Sequence, residues 1–279
     1  MLFRSEKLEA GGYERAIETL IALTAKGFAA HPQAAAAIWL EAAIEYPLDE
    51  DADLRAAVTA MLPKTALLLT GGVALERAAD GTVTGARNSL FALDAGGKIL
   101  MRFDKSHLVP GGEYLPLRWL TEPLGLSRVV PGTLDFIPGP GPTTYRLPGL
   151  PPMGPAICYE IVFPGAIVDR NDRPDWIVTV SNDAWFGPTG PPQLHAQARL
   201  RAIEEGLPVA RVTPTGITSL IGPRGEVLES LPSHTPGIIA VTLPAPLQAT
   251  PFAILGLAAP GLFALLLLGA GILVNRRKT

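Results

Sequence analysis

The stretch WIVTVSNDAWFGPTGPPQLHAQARLRAIEE, residues 176–205, decides the fold class of this chain. It begins with Trp176–Val180, an apolar and β-branched run that predicts a buried strand. A loop rich in Gly and Pro follows, and Gln193–Glu205 then predicts a helix. Another short apolar run, Val209–Val212, comes directly after it. A strand, a helix and a further strand in this order are typical of an α/β fold.

The rest of the chain extends this pattern on both sides. Helical periodicity predicts helices at 13–30 and 51–62, and Ala95-Gly96-Gly97 predicts a hairpin turn. The other predicted elements are strands at 34–39, 65–74, 88–93, 98–103, 155–158, 218–221, 227–231 and 237–243, and a short helix around Ala166–Asp169. Alternating strands and helices followed by hairpins predict an α/β sandwich with a mixed sheet.

The composition excludes several classes of protein. The 279 residues include 23 Lys and Arg against 26 Asp and Glu, and this formal charge of −3 argues against a nucleic-acid binder. Hydrophobic residues make up 48% of the chain, which excludes an intrinsically disordered protein. The length permits one large domain or two small ones.

Much of the hydrophobic character lies near the C-terminus. Phe252–Val274 is a run of 23 residues without a charge. A helix of about 20 apolar residues crosses roughly 30 Å of hydrocarbon, so we predict a transmembrane helix at 252–274. The alternative is a buried core helix. Asn275–Thr279 adds three cations, which favour the cytoplasmic side and place the body of the protein on the other side.

The start of the sequence conflicts with that orientation. Met1–Gly12 contains no apolar stretch that resembles an export signal. Either the protein is a cytoplasmic one anchored by its tail, or an N-terminal membrane portion precedes this sequence. We favour the second interpretation.

Several common types of site are absent from the sequence. It has no Gly-x-Ser-x-Gly elbow, no phosphate-binding P-loop and no His-Glu-x-x-His motif. The 4 histidines are scattered, and the 1 cysteine can form neither an internal disulfide nor a metal-binding pair. Gly139 and Gly141 lie among prolines, so they are no dinucleotide fingerprint. They belong to residues 110–155, a long irregular segment of the kind that is usually functional.

Three residues at the ends of predicted strands can carry chemistry. Cys158 ends the run Pro155–Ile157, and it is either a reactive nucleophile or a buried small hydrophobe. Glu41 follows Ile38–Leu40, and it is either a partly desolvated general base or a solvated loop acid. Lys105 follows a hairpin strand, and it either stabilises an oxyanion or is an ordinary surface lysine.

Together these residues resemble the Glu-Lys-Cys triad of the nitrilase (carbon–nitrogen hydrolase) superfamily. The segments around them are similar to the signatures of one branch of it, the bacterial apolipoprotein N-acyltransferases. The similar segments are KSHLVP (105–110), GEYLPL (112–117), ICYE (157–160), SNDAWFG (181–187) and QARLRAIE (197–204). They agree with that family in order and spacing, and the resemblance covers roughly residues 4–274.

The resemblance implies a fold, a reaction and a location. It implies an α-β-β-α nitrilase-like catalytic domain at 1–245 that lacks its first strand, the transmembrane helix at 252–274 and a basic cytoplasmic tail at 275–279. In that family the cysteine takes an acyl chain from a phospholipid as a thioester and passes it to the N-terminal amine of a diacylglyceryl-cysteine lipoprotein. The implied partners are the phospholipid donor, the lipoprotein acceptor and the membrane, with no nucleic acid. No metal or organic cofactor is implied, and the catalytic domain lies on the periplasmic side of the bacterial inner membrane.

The resemblance also implies a role for each matching residue. Cys158 is the nucleophile, Glu41 is the general base, and Lys105 stabilises the oxyanion together with the backbone N–H beside Cys158. Four further residues support this triad in the family: Glu113, Tyr159, Glu160 and Asn88. The stretch Trp119–Val130 is either a lipid-facing arm or a packing segment.

The sequence departs from the family pattern at several positions and leaves the triad intact. Lys7-Leu8 stands in place of a Lys-Trp pair, Leu40 in place of Pro, Gly111 in place of Phe, and Pro214 in place of Asn.

Two alternatives stay open beside the acyltransferase. One is a membrane-tethered nitrilase-type amidase with the same triad, and the other is an inactive, truncated fragment of the acyltransferase.

Overall fold

The computed structural model describes residues 12–121, 123 and 135–276. The α-helices in these ranges are α1 (Gly12–Ala30), α2 (Ala52–Thr59), α3 (Arg118–Thr121), α4 (Gly190–Glu205), α5 (Pro251–Leu255) and α6 (Ala258–Arg276). The strands are β1 (Ala36–Ile38), β2 (Ile44–Pro47), β3 (Leu67–Arg77), β4 (Val83–Leu93), β5 (Ile99–Asp104), β6 (Met153–Ile157), β7 (Trp176–Val180), β8 (Val209–Val212), β9 (Thr218–Ile221) and β10 (Val227–Leu231). Two 3₁₀ helices, Cys158–Val162 and Asp183–Phe186, follow β6 and β7.

The strands form two sheets. In the first sheet β1 and β2 both pair in parallel with β3, and β3, β4 and β5 follow one another as antiparallel neighbours. In the second sheet β6, β7 and β8 are parallel, and β9 and β10 continue the sheet as antiparallel strands. The carboxyl ends of parallel strands lie at one edge of a sheet, so the residues after β6 and β7 are neighbours.

Three apolar clusters hold the layers together. Side chains of both sheets form the central cluster, which includes Leu90 of β4 and Val178 of β7. Alternate residues of β4, such as Phe91, point the other way and pack under α1 and α2. The outer face of the second sheet, with Ile177, packs under Leu194 of α4. The order of layers is helix, sheet, sheet, helix, and the predicted α-β-β-α sandwich is confirmed.

Local sequence explains where α2 begins and where α4 ends. Asp51 accepts a hydrogen bond from the backbone N–H of Leu54 at 2.8 Å, which satisfies a donor in the first turn of α2. Gly206 ends α4 in the left-handed conformation with φ of 64°, which costs glycine little. Both helices match their predicted positions closely.

Two predicted elements are wrong. No helix forms at 166–169, because the chain turns sharply at Cys158 and forms its helical turn there, at Cys158–Val162. No strand forms at 237–243. That segment follows Pro236 and leads into Pro244, and proline supplies no N–H for pairing with an edge strand.

The apolar run near the C-terminus is not one continuous helix. It divides into α5 and α6 at Gly256, which has φ of 56°. This positive φ is a backbone conformation that glycine adopts at little cost, and the N–H of Gly256 donates to the carbonyl of Phe252 to end α5. The guanidinium group of Arg170 lies directly against Gly256. Thr250 caps α5 and also donates a hydrogen bond to the carbonyl of Glu204. The first turn of the run therefore packs against the α/β domain.

Within the described residues, no helix combines the length and the apolar character needed to cross a membrane. The transmembrane helix expected at 252–274 is not confirmed. Three other predictions fall wholly or partly outside the described residues. They are the Lys7-Leu8 position, the part of the Trp119–Val130 arm at 122 and 124–130, and the part of the basic tail at 277–279.

Candidate active site

Three strand ends meet at one edge of the sandwich. Glu41 follows β1, Lys105 follows β5 and Cys158 follows β6. Their exposed fractions are 5%, 1% and 3%, so all three side chains are withdrawn from bulk water. The structure thus brings together Glu41 and Lys105, which are 64 positions apart, and Cys158, which lies 53 positions after Lys105.

Glu41 is placed by an unusually close approach of two backbones. The N–H of Gly71 in β3 donates to the carbonyl of Leu40 at 3.2 Å. A Cβ at Gly71 would lie 2.5 Å from that carbonyl oxygen and 2.6 Å from the nitrogen of Ala42. Only glycine therefore lets the turn carrying Glu41 lie directly on β3. Ala42 itself has φ of 48°, a conformation that side chains rarely adopt.

The carboxylate of Glu41 accepts hydrogen bonds on both oxygens. Nδ2 of Asn88 donates to Oε1 at 2.8 Å, and the backbone N–H of Asn182 donates to Oε2 at 2.6 Å. The Asn88 amide also donates to Oε1 of Glu113 at 3.0 Å, so it lies between two carboxylates. These bonds fix the orientation of Glu41 toward the inside of the site.

Lys105 is the buried cation between the same two carboxylates. Its Nζ lies 3.0 Å from Oε1 of Glu113 and 3.4 Å from Oε1 of Glu41. Burial alone would lower the pKa of Lys105, but the charges of the Glu41 and Glu113 carboxylates outweigh it and raise this pKa above its ordinary value. Lys105 is therefore a permanent positive charge in the site.

Backbone hydrogen bonds hold the segment around Lys105. Its N–H donates to the carbonyl of Asn88 at 2.9 Å, and the N–H of Gly139 donates to its carbonyl at 2.8 Å. The second carboxylate, Glu113, is fixed by the N–H of Val109, which donates to Oε2 at 2.8 Å. The Pro- and Gly-rich segment after residue 110 thus supplies both Glu113 and a support for Lys105.

Cys158 lies on a strained turn directly after β6. Its φ of 52° is rare for a residue with a side chain, and such strain is concentrated at functional sites. Glu160 holds this turn, because its Oε2 accepts the N–H of Ile157 at 2.8 Å. Its Oε1 accepts the N–H of Ser106 at 2.8 Å and the Ser106 hydroxyl at 2.7 Å. Glu160 therefore joins the turn of the thiol to the loop of Lys105.

The surroundings of the thiol favour its neutral form. Burial, with a contribution from the charge of Glu41, raises the pKa of Cys158 to about 12. Lys105 and hydrogen bonding to Ser181 and to the backbone of Asn182 act in the opposite direction and only partly offset it. The thiol is protonated at neutral pH, so it needs a base to become a nucleophile.

Tyr159 is placed differently from the other predicted residues. Its ring packs edge-on against Phe163 at 5.0 Å between centroids, and Phe163 stacks on His107 at 4.4 Å. These three rings form an aromatic group beside the turn of Cys158. The structure thus gathers Glu41, Asn88, Lys105, Glu113, Cys158 and Glu160 into one polar cluster, with Tyr159 in the neighbouring aromatic group.

Sequence reasoning assigned no role to several residues that build the site. Gly71, Ser106 and Asn182 act through backbone contacts, and Ser181 lies beside the thiol. The segment SNDAWFG was noted as a motif, which was the available signal for Ser181 and Asn182. Gly71 had no signal beyond a glycine pair inside an apolar run.

The cluster has the parts needed for nucleophilic acyl transfer. It holds a thiol, a carboxylate able to take its proton and a buried cation able to stabilise an oxyanion. Within the described ranges, no three His, Cys, Asp or Glu side chains are placed to hold a metal ion.

Comparison with protein families agrees with this arrangement. The carbon–nitrogen hydrolase family model matches residues 12–252. The chain belongs to the carbon–nitrogen hydrolase family. The superfamily predicted from the triad is therefore confirmed, and the roles of the individual site residues stay predictions.

Two curated relatives of this carbon–nitrogen hydrolase are apolipoprotein N-acyltransferases. The protein from Bradyrhizobium diazoefficiens is 43% identical over 221 residues, which cover 78% of this chain and 41% of the relative. The protein from Rhodopseudomonas palustris is 41% identical over 221 residues, with the same coverage of 78% and 41%. The chain thus spans about two fifths of the length of the curated relatives that it matches.

Solved structures share the fold at low identity. The carbon–nitrogen hydrolase from Helicobacter pylori G27 superposes with a TM-score of 0.57 at 17% identity, covering 79% of this chain and 80% of that one. An amidase from Nesterenkonia sp. superposes with a TM-score of 0.56 at 17% identity, covering 80% and 81%. The nitrilase-like α/β fold of this carbon–nitrogen hydrolase is confirmed by both.

Proposed function

We propose that this chain is the catalytic part of an apolipoprotein N-acyltransferase. It moves an acyl chain from a phospholipid to the N-terminal amine of a diacylglyceryl-cysteine lipoprotein, through a thioester on Cys158. The observation that carries the proposal is the identity with acyltransferases over more than three quarters of this chain. The buried cluster of Glu41, Lys105 and Cys158 supports it, because its chemistry suits acyl transfer.

The first half of the reaction loads the cysteine. Glu41 takes the thiol proton while the sulfur of Cys158 attacks the ester carbonyl carbon of the phospholipid. The carbonyl oxygen becomes an oxyanion, which the charge of Lys105 stabilises. When the carbon–oxygen ester bond breaks, the lysophospholipid alkoxide takes the proton from Glu41, and the acyl thioester remains.

The second half transfers the acyl chain to nitrogen. The amine of the lipoprotein attacks the thioester carbonyl and gives a proton to Glu41. The carbon–sulfur bond then breaks, the sulfur of Cys158 takes that proton back, and an amide is the product. Exclusion of water favours the amine over hydrolysis, and the low exposure of Glu41, Lys105 and Cys158 supports this requirement.

The supporting residues have positioning roles in this proposal. Asn88 links Glu41 and Glu113 by donating to both carboxylates. Glu113 keeps Lys105 in place at 3.0 Å. Glu160 holds the turn of Cys158 against the loop of Lys105, and Tyr159 packs beside that turn.

We further propose that α6 enters the lipid membrane and that the catalytic domain lies on the periplasmic side. Large apolar side chains of α6 are exposed, among them Phe263 and Leu266 at 63% and 71%. An exposed apolar surface of this kind is typical of a membrane contact. The cations after α6 support a cytoplasmic end for this helix.

Mass spectrometry of the chain tests the acyltransferase directly. The 279-residue protein in detergent is incubated with phosphatidylethanolamine of one known acyl chain. We expect Cys158 to gain the mass of that chain, hydroxylamine to remove it, and the Cys158→Ala variant to gain nothing. Added diacylglyceryl-cysteine peptide should then receive the chain on its amine.

The same preparation separates the two alternatives. Hydrolysis of a small amide without any acyl adduct from phospholipid would favour the membrane-tethered amidase. A folded protein that does neither reaction would favour the inactive fragment.

A further inference from the structure

Ser181 lies next to Cys158 at the ends of two parallel strands. Ile157 of β6 pairs with Val180 of β7, and Cys158 and Ser181 are the residues that follow this pair. Neighbouring strands are about 4.8 Å apart, so the hydroxyl of Ser181 is within reach of the sulfur. A hydrogen bond from the Ser181 side chain to the sulfur lowers the pKa of Cys158, because it stabilises the thiolate.

The Ser181 hydroxyl already has another acceptor. Its Oγ donates to Oδ1 of Asp183 at 2.6 Å. Oδ2 of Asp183 accepts a hydrogen bond from Nη2 of Arg211 at 2.5 Å. All three residues have 0% exposure, so no water competes for these bonds. A hydrogen bond from a hydroxyl to a buried carboxylate is short and strong.

Asp183 is held in place from several sides. Arg211 is fully buried, and its Nε and Nη1 have no hydrogen-bond partner within the described residues, so its pairing is concentrated on Asp183. A Cβ at Gly216 would collide with Oδ2 of Asp183, which shows how closely the backbone packs there. The carboxylate therefore cannot turn away from Ser181 without disrupting a buried ion pair.

A serine hydroxyl has only one proton to donate. It can donate to Asp183 or to the sulfur of Cys158, and not to both at once. The sulfur becomes a strong acceptor only when it carries a negative charge, after loss of its proton or during loss of an acyl chain. Arg211 neutralises part of the charge of Asp183, which keeps that carboxylate from holding the hydroxyl proton permanently.

We propose that Ser181 is a positioning residue whose hydroxyl proton changes partners during the reaction, from Asp183 in the resting state to the sulfur of Cys158 when that sulfur is anionic. Asp183 and Arg211 are the second and third members of this chain of contacts. The inference rests on Cys158 being the nucleophile of the proposed function, and it is independent of the substrate.

Alkylation of the thiol tests the inference, because Cys158 is the single cysteine of the protein. The rate of alkylation by iodoacetamide is measured between pH 7 and pH 10 in the full chain. The variants are Ser181→Ala, Asp183→Asn and the double variant, and each is first checked for native circular dichroism. The readout is the amount of thiolate at each pH.

The proposal predicts that the two single variants change the alkylation rate in opposite directions. Ser181→Ala removes the donor to the thiolate and should slow alkylation about tenfold, which corresponds to about one pKa unit. Asp183→Asn weakens the competing acceptor and should speed alkylation by roughly threefold or more. In the Ser181→Ala background Asp183→Asn should change the rate by less than about twofold, because its effect passes through the hydroxyl.

Two controls exclude other causes of these rate changes, namely altered access to the thiol and a general effect of removing a buried hydroxyl. The series is repeated with N-ethylmaleimide, which is larger than iodoacetamide. A change in the amount of thiolate alters the rates of both reagents by the same factor, whereas a change in access to the thiol alters them by different factors. Ser89→Ala is the matched variant, because Ser89 also has 0% exposure and donates to Asp104 at 2.6 Å. It should leave the alkylation rate unchanged.

The charged and titratable groups around the thiol and the Ser181–Asp183 pair are the same in every variant except at Asp183. They are Glu41, Lys105, Glu113, Glu160, His195 and Arg211.

One outcome would overturn the inference directly. If Asp183→Asn changes the alkylation rate by the same factor with and without the Ser181 hydroxyl, the aspartate acts by its charge alone. If the Asp183→Asn variant does not fold, the alkylation rate of Ser181→Ala decides. Slower alkylation supports the inference, and unchanged or faster alkylation overturns it.

The alkylation result does not depend on acyl transfer. Failure of phospholipid to load Cys158 would contradict the proposed acyltransferase while leaving the thiol measurements interpretable. If the alkylation rates do not change in the predicted directions while phospholipid still loads Cys158, only the role of Ser181 is contradicted.

Discussion

At the scale of single residues, the site combines a neutral nucleophile with a permanent cation. Burial and the charge of Glu41 raise the pKa of Cys158 to about 12, and Lys105 keeps its charge because carboxylates surround it. The same carboxylate that makes the thiol a weaker acid is the group placed to remove its proton. Removing the charge of Glu41 should therefore make the thiol a stronger acid, and it should also remove the proposed base for acyl transfer.

Glu41→Gln should change two rates in opposite directions. Acyl transfer should fall by about a hundredfold or more, because the proposed general base is lost. Alkylation of Cys158 by iodoacetamide should become faster, because the charge that raises the thiol pKa is removed. Both rates are measured on the same preparation by mass spectrometry.

The matched control is Glu229→Gln, an exposed carboxylate on β10. It should leave both rates unchanged. Slower alkylation in Glu41→Gln would contradict the electrostatic argument and indicate that Glu41 mainly holds the thiol in place.

The buried thiol also predicts a dependence of stability on alkaline pH. A thiol with a raised pKa in the folded state stabilises the protein below its unfolded pKa, and this contribution is lost as pH rises toward about 12. The midpoint temperature of unfolding, Tm, should therefore fall more steeply above pH 9 in the native protein than in Cys158→Ala.

Calorimetry of the two proteins between pH 7 and pH 11 measures this difference. Tyr13 and Tyr145, whose pKa values are also raised, are present in both proteins and cancel in the comparison. Parallel curves would contradict the raised pKa of the thiol.

At the scale of elements, the site depends on how closely strands and turns approach one another. The turn after β1 rests on β3 at Gly71, and the 3₁₀ turn after β6 is tied by Glu160 to the loop after β5. The first contact joins two backbones, and in the second the buried carboxylate of Glu160 accepts from two backbone N–H groups. Backbone groups on at least one side of each contact fix the position of the site more firmly than contacts between flexible side chains would.

Gly71→Ala should move Glu41 without unfolding the protein. The added Cβ would lie 2.5 Å from the carbonyl oxygen of Leu40, so the turn has to shift. We expect a loss of stability of about 1–3 kcal/mol, as for other overpacked positions. Acyl transfer should fall much more than this loss of stability explains, because Glu41 no longer reaches the thiol.

Gly261→Ala in α6 is the control, since a Cβ at that position meets open space. It should lower neither stability nor acyl transfer, because alanine is the better helix former and nothing lies in its way. Full activity in a folded Gly71→Ala variant would contradict the role of this close approach.

At the scale of the whole molecule, the α/β domain extends into the apolar run near the C-terminus. The N–H of Leu247 donates to the carbonyl of Gly206 at 2.9 Å, and Nη2 of Arg173 donates to the carbonyl of Leu247 at 3.1 Å. Gly256 lies against Arg170. The segment up to α5 is therefore part of the domain, and α6 leaves it.

Two truncations should distinguish these parts. A protein ending at Leu257 keeps the contacts of α5, so its Tm should stay within a few degrees of the native value. A protein ending at Ala245 loses the contacts of Leu247, Thr250 and Gly256, so its Tm should fall clearly. Both are measured by circular dichroism in the same detergent.

The same truncations test the proposed membrane contact of α6. The protein ending at Leu257 should no longer float with phospholipid vesicles, while the full chain should. Equal flotation of both would contradict the proposal for α6, and unchanged Tm in both would contradict the inclusion of α5 in the domain.

Apolar periodicity is a local property, so the sequence was sufficient to predict most strands and the long helices α1 and α4. Strand β2 was not predicted, and the elements expected at 166–169 and 237–243 do not form. Glu41, Lys105 and Cys158 were recognisable because each follows a predicted strand, and Lys105 and Cys158 also lie within motifs. The carbon–nitrogen hydrolase family followed from the same local features.

Only the tertiary structure decided which groups meet. The backbone of Asn182 contacts Glu41 across 141 positions of the chain, and Asp183 and Arg211 form a buried pair behind Ser181. The contact between Gly256 and Arg170 likewise joins distant parts of the chain. These contacts arise from the packing of two sheets and their connecting turns, so they bring together residues that no local pattern relates.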